Sequence, residues 1–141
     1  MSILRRDPIT GSWVIIAEGR SLRPRDFDAL GGPGLPSEVC PFCEGNESET
    51  PGEIRAIRRE GSETNGPGWD LRVVPNSYAA LRIEGNLDSS SDGVYESLNG
   101  VGAHEVIIES PRHDGRIGDF DEVKIESLLQ VYRERDRKSV V

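Results

Sequence analysis

Cys40 and Cys43 stand two residues apart around Pro41 and Phe42, and His113 follows a Glu109-Ser110-Pro111-Arg112 step. Two thiolates and an imidazole are good ligands for a soft or borderline divalent metal, and Zn²⁺ normally takes four such donors. A Cys-x-x-Cys pair can also do thiol–disulfide chemistry, provided the first cysteine opens a helix that activates it. Here Cys43 runs into Glu44-Gly45-Asn46-Glu47-Ser48-Glu49-Thr50-Pro51, which has no apolar stripe and soon meets proline. A metal knuckle is the stronger reading, ahead of a redox pair or two buried, unliganded thiols. In a knuckle the backbone N–H groups after the cysteines are free to point at sulfur, and Gly45 eases the turn. His113 alone would read as a surface histidine; its place at the end of a strand makes it the third candidate ligand. Arg20, Arg23 and Arg25 form a separate concentration of guanidinium groups, whose planar forks suit phosphate.

These residues need elements to hold them. Asp7-Pro8 and Thr10-Gly11 mark a turn before a strand at Trp13-Val14-Ile15-Ile16, and residues 19–39 read as a Gly/Pro/Arg-rich loop. Glu53–Glu60 fits a short strand or a helical turn equally. Trp69–Pro75 reads as a strand, Tyr78–Ile83 as a short segment, and 85–93 as a loop. His104–Glu109 is the clearest strand, with His104, Val106 and Ile108 on one face and Glu105, Ile107 and Glu109 on the other. His104 lies on its apolar face and reads as a packed, hydrogen-bonded histidine rather than a ligand. A helix follows, capped by Asp119 or Asp121, with Val123, Ile125, Leu128, Leu129 and Tyr132 as its apolar stripe. Arg133, Arg135, Arg137 and Lys138 at its end suit the helix macrodipole. Strands first and one packed helix last give an α+β class with a largely antiparallel sheet.

The 141 residues amount to one domain, with 35% hydrophobic residues, 16 glycines and 9 prolines, which implies long surface loops. A net charge of −8, from 25 acidic and 17 basic residues, argues against non-specific nucleic-acid binding. No apolar run reaches the roughly 18 residues a membrane helix needs, and the N-terminus has no secretory core. Two closely spaced cysteines fit a reducing, cytoplasmic setting.

At this point the chain resembles the galactose-1-phosphate uridylyltransferase family of the histidine-triad superfamily. The resemblance runs through Arg6–Val14, Arg20–Pro24, Cys40–Glu47, Arg72–Tyr78 and Gly102–His113, in order and across nearly the whole chain. It implies a histidine-triad-like half-barrel, of which residues 1–141 would be the N-terminal part, cut off before the family's His-Pro-His segment. It implies uridylyl exchange between UDP-glucose and galactose 1-phosphate through a covalent uridylyl-histidine. By resemblance Cys40, Cys43 and His113 hold a structural zinc ion whose fourth ligand lies in the His-Pro-His segment. Phe42 would pack near the uracil, Asn76 and Ser77 would meet the ribose, and Arg20 and Arg23 would reach the phosphates, in the family from the neighbouring subunit. The family pattern more often has Lys where Ser77 stands and Pro where Ala79 stands. The resemblance further implies a homodimer for the full-length protein, with a UDP-hexose and a hexose 1-phosphate as its ligands. The nucleophilic histidine is missing from these residues, so they are expected to be inactive alone. Two alternatives stay open: a non-catalytic zinc-knuckle binding module, and a related nucleotidyltransferase or phosphorylase acting on ADP-type substrates.

Overall fold

The computed structural model describes residues 2–22 and 36–139. Its strands are β1 (Ile3–Arg6), β2 (Trp13–Ile16), β3 (Arg55–Arg58), β4 (Trp69–Pro75), β5 (Ser89–Asp92), β6 (Tyr95–Asn99) and β7 (Glu105–Ile108), followed by helix α1 (Glu122–Ser139). The chain folds as two compact units, one built from the described residues of 1–26 and 78–104, the other from those of 27–77 and 105–141. Among the described residues no helix is long and apolar enough to cross a membrane. The α+β class holds, and every pairing between named strands is antiparallel.

The first unit is a four-stranded sheet in the order β2-β1-β6-β5. The turn between β1 and β2 is built by Asp7, whose Oδ1 accepts the N–H groups of Ile9 (2.8 Å) and Thr10 (3.2 Å). Those two bonds hold its carboxyl below the usual carboxylate range. The stretch 85–93, expected to be loop throughout, contributes β5. Ser89-Ser90-Ser91-Asp92 is exposed along its whole length and carries no apolar alternation. It is a strand because β6 pairs with it through a two-residue hairpin, in which Gly93 supplies the positive φ of 61°.

The second unit carries the cysteines. Its sheet runs β3-β4-β7, with β4 in the centre and buried along most of its length. Period-two alternation sends Leu71 and Val73 to one face, where they pack with Leu128 and Val131 of α1 and with Ile57, Ile107, Phe120 and Tyr132. Val74 and Ile108 point to the other face, beside Val106. A register shift between Ile57 and Arg58 lets β4 pass one residue, Asp70, without a partner. That bulge puts Trp69 with Val74 and Ile108 instead of with Leu71.

The uncertain segment 53–60 is thus strand β3, and β7 stops at Ile108, before Ser110-Pro111. The face assignment of β7 is as expected, although His104 lies just outside the strand. Helix α1 is capped by Asp121, whose Oδ1 accepts the Lys124 N–H at 2.8 Å. Its buried stripe differs from the expected one. Leu128 and Val131 are buried, whereas Val123 (72% exposed) and Leu129 (58%) face outward. Arg135 does more than complement the helix end: its guanidinium bonds both carboxylate oxygens of Glu105 on β7.

Candidate metal centre

The chain reaches the knuckle through a 3₁₀ turn at Ser37–Val39. Cys40 and Cys43 then close a tight turn, the Cys43 N–H donating to the Cys40 carbonyl at 3.2 Å. The Glu44 N–H donates to the carbonyl of Pro111 (3.3 Å), which ties the knuckle to the segment leaving β7. That segment folds back on itself. The Ser110 Oγ accepts the Arg112 N–H, and the Gly115 N–H donates to the Arg112 carbonyl. His113 is carried at the bend. An Arg112–Asp114 ion pair flanks it, but with both side chains 74% exposed it contributes little.

The three side chains converge. The sulfurs of Cys40 and Cys43 and a ring nitrogen of His113 all lie within 4.8 Å of one another. The Cys43 Sγ to His113 Nδ1 distance is 3.2 Å. A tetrahedral ion with ordinary Zn–S and Zn–N bonds separates such donors by about 3.5 Å, so the arrangement fits one cation with small adjustments. Among the described residues this is the only cluster of three or more His, Cys, Asp and Glu side chains able to hold a metal. Burial falls from Cys43 (buried) through Cys40 (half-buried) to His113 (exposed), so the site opens on its histidine side. Burial, the hydrogen bond with Cys40, and the charges of Cys40 and Glu38 together push the Cys43 thiol up to about 11. A redox-active pair needs a helix opening at its first cysteine; the next helical turn here is the 3₁₀ turn at Glu47–Glu49. A bound cation would stabilise both cysteines as thiolates in this partly apolar turn. The donor set suits a thiophilic ion and excludes hard cations that prefer oxygen.

One local expectation is corrected. The N–H groups following Cys43 do not point at sulfur. Glu44 donates to Pro111, Gly45 to the Glu47 carboxylate at 3.1 and 3.2 Å, and Asn46 to the Cys43 carbonyl at 3.2 Å. Oxygen is the stronger acceptor, and each of these amides has one within reach. Gly45 does ease the turn, with φ at +100°.

Sequence reasoning gave no role to Asn46, Glu47 or Glu53. Glu47 is buried and accepts the Trp69 Nε1–H at 2.7 Å. Burial raises its pKa, but the bonds from Trp69 and Gly45 and the charge of Arg72 outweigh that and lower it. Glu53 accepts from Arg72 Nε (3.1 Å) and from Arg58, and Arg72 also donates to Thr50 Oγ1. A patterned strand signals none of this, because the register bulge decides that Trp69 shares the Arg72 face.

The other anticipated residues are placed as follows. Phe42, between the cysteines, is 44% exposed. Asn76 is half-buried and Ser77 exposed, immediately after β4. They leave the β4–β7 ladder at the Pro75–Glu105 end, whereas the chain runs to His113 from the Arg72–Ile108 end, about 10 Å away by strand rise. Arg20 belongs to the other unit, in a 3₁₀ turn, with Nη1 3.3 Å from His104 Nδ1. His104 Nδ1 also accepts the Ala80 N–H at 2.8 Å, the hydrogen-bonded role expected of it. Arg23 and Arg25 lie outside the described residues.

No family model matches the chain. It is 36% identical over 136 residues to an ADP-glucose phosphorylase of Arabidopsis thaliana, covering 94% of this chain and 37% of that protein. The crystal structure of an Arabidopsis ADP-glucose phosphorylase with bound ADP-glucose superposes with a TM-score of 0.51 at 35% identity, over 96% of this chain and 37% of the other. A uridylyltransferase mutant superposes with a TM-score of 0.61 at 26% identity, over 98% of this chain and 34% of the other. The chain therefore spans little more than a third of each of these relatives.

Proposed function

We propose that the chain belongs to the galactose-1-phosphate uridylyltransferase family and forms the zinc-binding, nucleotide-contacting part of an enzyme that transfers a nucleotidyl group from a nucleoside-diphosphate hexose, a reading supported by its similarity to an ADP-glucose phosphorylase and a uridylyltransferase. The observation that carries the proposal is the convergence of Cys40, Cys43 and His113, from two distant stretches of sequence, within 4.8 Å. Zinc held there supplies a fixed cross-link between the knuckle and the segment after β7, not an activated water. Phe42 offers an exposed ring face beside that cross-link to a nucleobase, and Asn76 and Ser77 offer polar groups to a ribose. Arg20, steadied by His104, and Arg23 would supply positive charge to the phosphates bound by the second copy in a homodimer. Neither His104 nor His113 stands in a His-Pro-His segment, so these 141 residues supply no transfer nucleophile of that kind.

The resemblance in sequence puts UDP-glucose and galactose 1-phosphate first. The 36% identity to an ADP-glucose phosphorylase favours a second reading, in which the donor is ADP-glucose and the acceptor is inorganic phosphate. Calorimetric titration of the zinc-loaded protein with ADP-glucose and with UDP-glucose separates them. Tighter binding of UDP-glucose supports uridylyl transfer, and tighter binding of ADP-glucose supports phosphorolysis. If neither nucleotide sugar binds and zinc is retained, the chain is a non-catalytic knuckle module.

A further inference from the structure

The knuckle is framed from both sides by two consecutive residues that are not themselves ligands. On the approach side, the Asn46 side-chain amide donates to the carbonyls of Cys40 (2.8 Å), Glu38 (3.2 Å) and Ser37 (3.3 Å). One NH₂ group thereby fixes the path by which the backbone enters the first cysteine. On the exit side, both oxygens of Glu47 accept the Gly45 N–H, and one of them also accepts the Trp69 indole N–H. Trp69 is wholly buried in the sheet, so the turn after Cys43 is fastened to the core of the unit through a carboxylate. The Asn46 backbone N–H closes the frame by donating to the Cys43 carbonyl.

We propose that Asn46 and Glu47 are positioning residues that set the two cysteine sulfurs in ligating geometry before the metal arrives. The inference rests on the metal-binding reading above and adds residues to that same site. Its physical content is preorganisation. A turn whose entry and exit are already hydrogen-bonded loses less freedom when the ion binds, and partners behind metal ligands typically change affinity 10- to 100-fold when removed. Glu47 acts through its acceptor geometry at Gly45, because Gly45 is the left-handed residue on which the turn closes. A glutamine keeps an oxygen there for both Gly45 and Trp69, whereas alanine removes it.

The test measures zinc affinity by chelator competition, together with the visible spectrum of the Co²⁺-loaded protein, for wild type, E47A, E47Q, N46A and W69F. E47A and N46A are expected to bind zinc about 10- to 100-fold more weakly and to shift the Co²⁺ bands. E47Q restores affinity to within about threefold of wild type. W69F removes the indole anchor but leaves the Gly45 bond intact, so it should weaken zinc binding clearly less than E47A does. Equal losses in W69F and E47A would reduce Glu47 to a core-packing residue and overturn the inference. Wild-type affinity in both E47A and N46A would overturn it as well. If E47A does not fold, N46A decides alone, since its contacts lie outside the sheet core, and wild-type affinity in N46A then overturns the inference. A wild-type protein that binds no metal overturns the metal reading itself, a result distinct from any of these.

Discussion

Replacing Glu53 with alanine should be among the most damaging single changes in the second unit. The Glu53 side chain is 6% exposed and bridges Arg72, itself 1% exposed, and Arg58, 15% exposed. Removing the carboxylate leaves a guanidinium buried on the sheet with only Thr50 Oγ1 bonded, and its Nη2 already has no partner among the described residues. Taking one partner from a buried ion pair costs about 3–5 kcal/mol, and because the nearby Glu47 carboxylate still offsets part of the Arg72 charge, the loss should fall at the lower end of that range. R58A should cost less, about 1–2 kcal/mol, because Glu53 keeps Arg72. The pH dependence has a definite sign. Burial pushes the Glu53 carboxyl up, but hydrogen bonds from Arg58 and Arg72 and the charge of Arg58 outweigh it, so the folded value lies below the ordinary 4.5. Such a group stabilises fully above its unfolded value, and the contribution disappears as pH falls through the folded value. Urea unfolding followed by circular dichroism, at pH 7 and stepwise below 4.5, reads both effects. Wild type should lose stability more steeply than E53A as the pH falls. A loss below about 1 kcal/mol in E53A at pH 7 would refute the reasoning.

Two further changes probe the helix. V131A, at a buried position against Leu71 and Val73, should destabilise by about 2 kcal/mol in urea unfolding, while V123A, on the exposed face of the same helix, should be neutral to within about 0.5 kcal/mol. D121A removes the acceptor for the Lys124 N–H and should cost about 1 kcal/mol with partial fraying of the first turn, visible in amide exchange.

What could be read from the sequence depended on whether local chemistry or tertiary pairing set the structure. The Asp7 turn, the faces of β7 and the Gly45 turn follow from side-chain chemistry within a few residues, and all three are as expected. So is the convergence of Cys40, Cys43 and His113, because ligand chemistry is written in residue type. Strand β5 was not legible: Ser89-Ser90-Ser91 has no pattern of its own and owes its conformation to β6. The rotation of α1, which buries Val131 and exposes Val123 and Leu129, reflects which stripe meets Leu71 and Val73, a choice the helix alone leaves open. Glu47 and Glu53 look like solvated charges in a polar stretch. Only the bulge at Asp70 and the burial of Arg72 and Trp69 reveal them as internal partners.

Zinc-edge X-ray absorption on the metal-loaded protein addresses the shared cation most directly. Two sulfur scatterers at about 2.3 Å and at least one imidazole nitrogen at about 2.0 Å, for one ion per chain, are the expected first shell. A shell of nitrogen and oxygen alone, or one that keeps both sulfurs and shows no imidazole, would contradict the account.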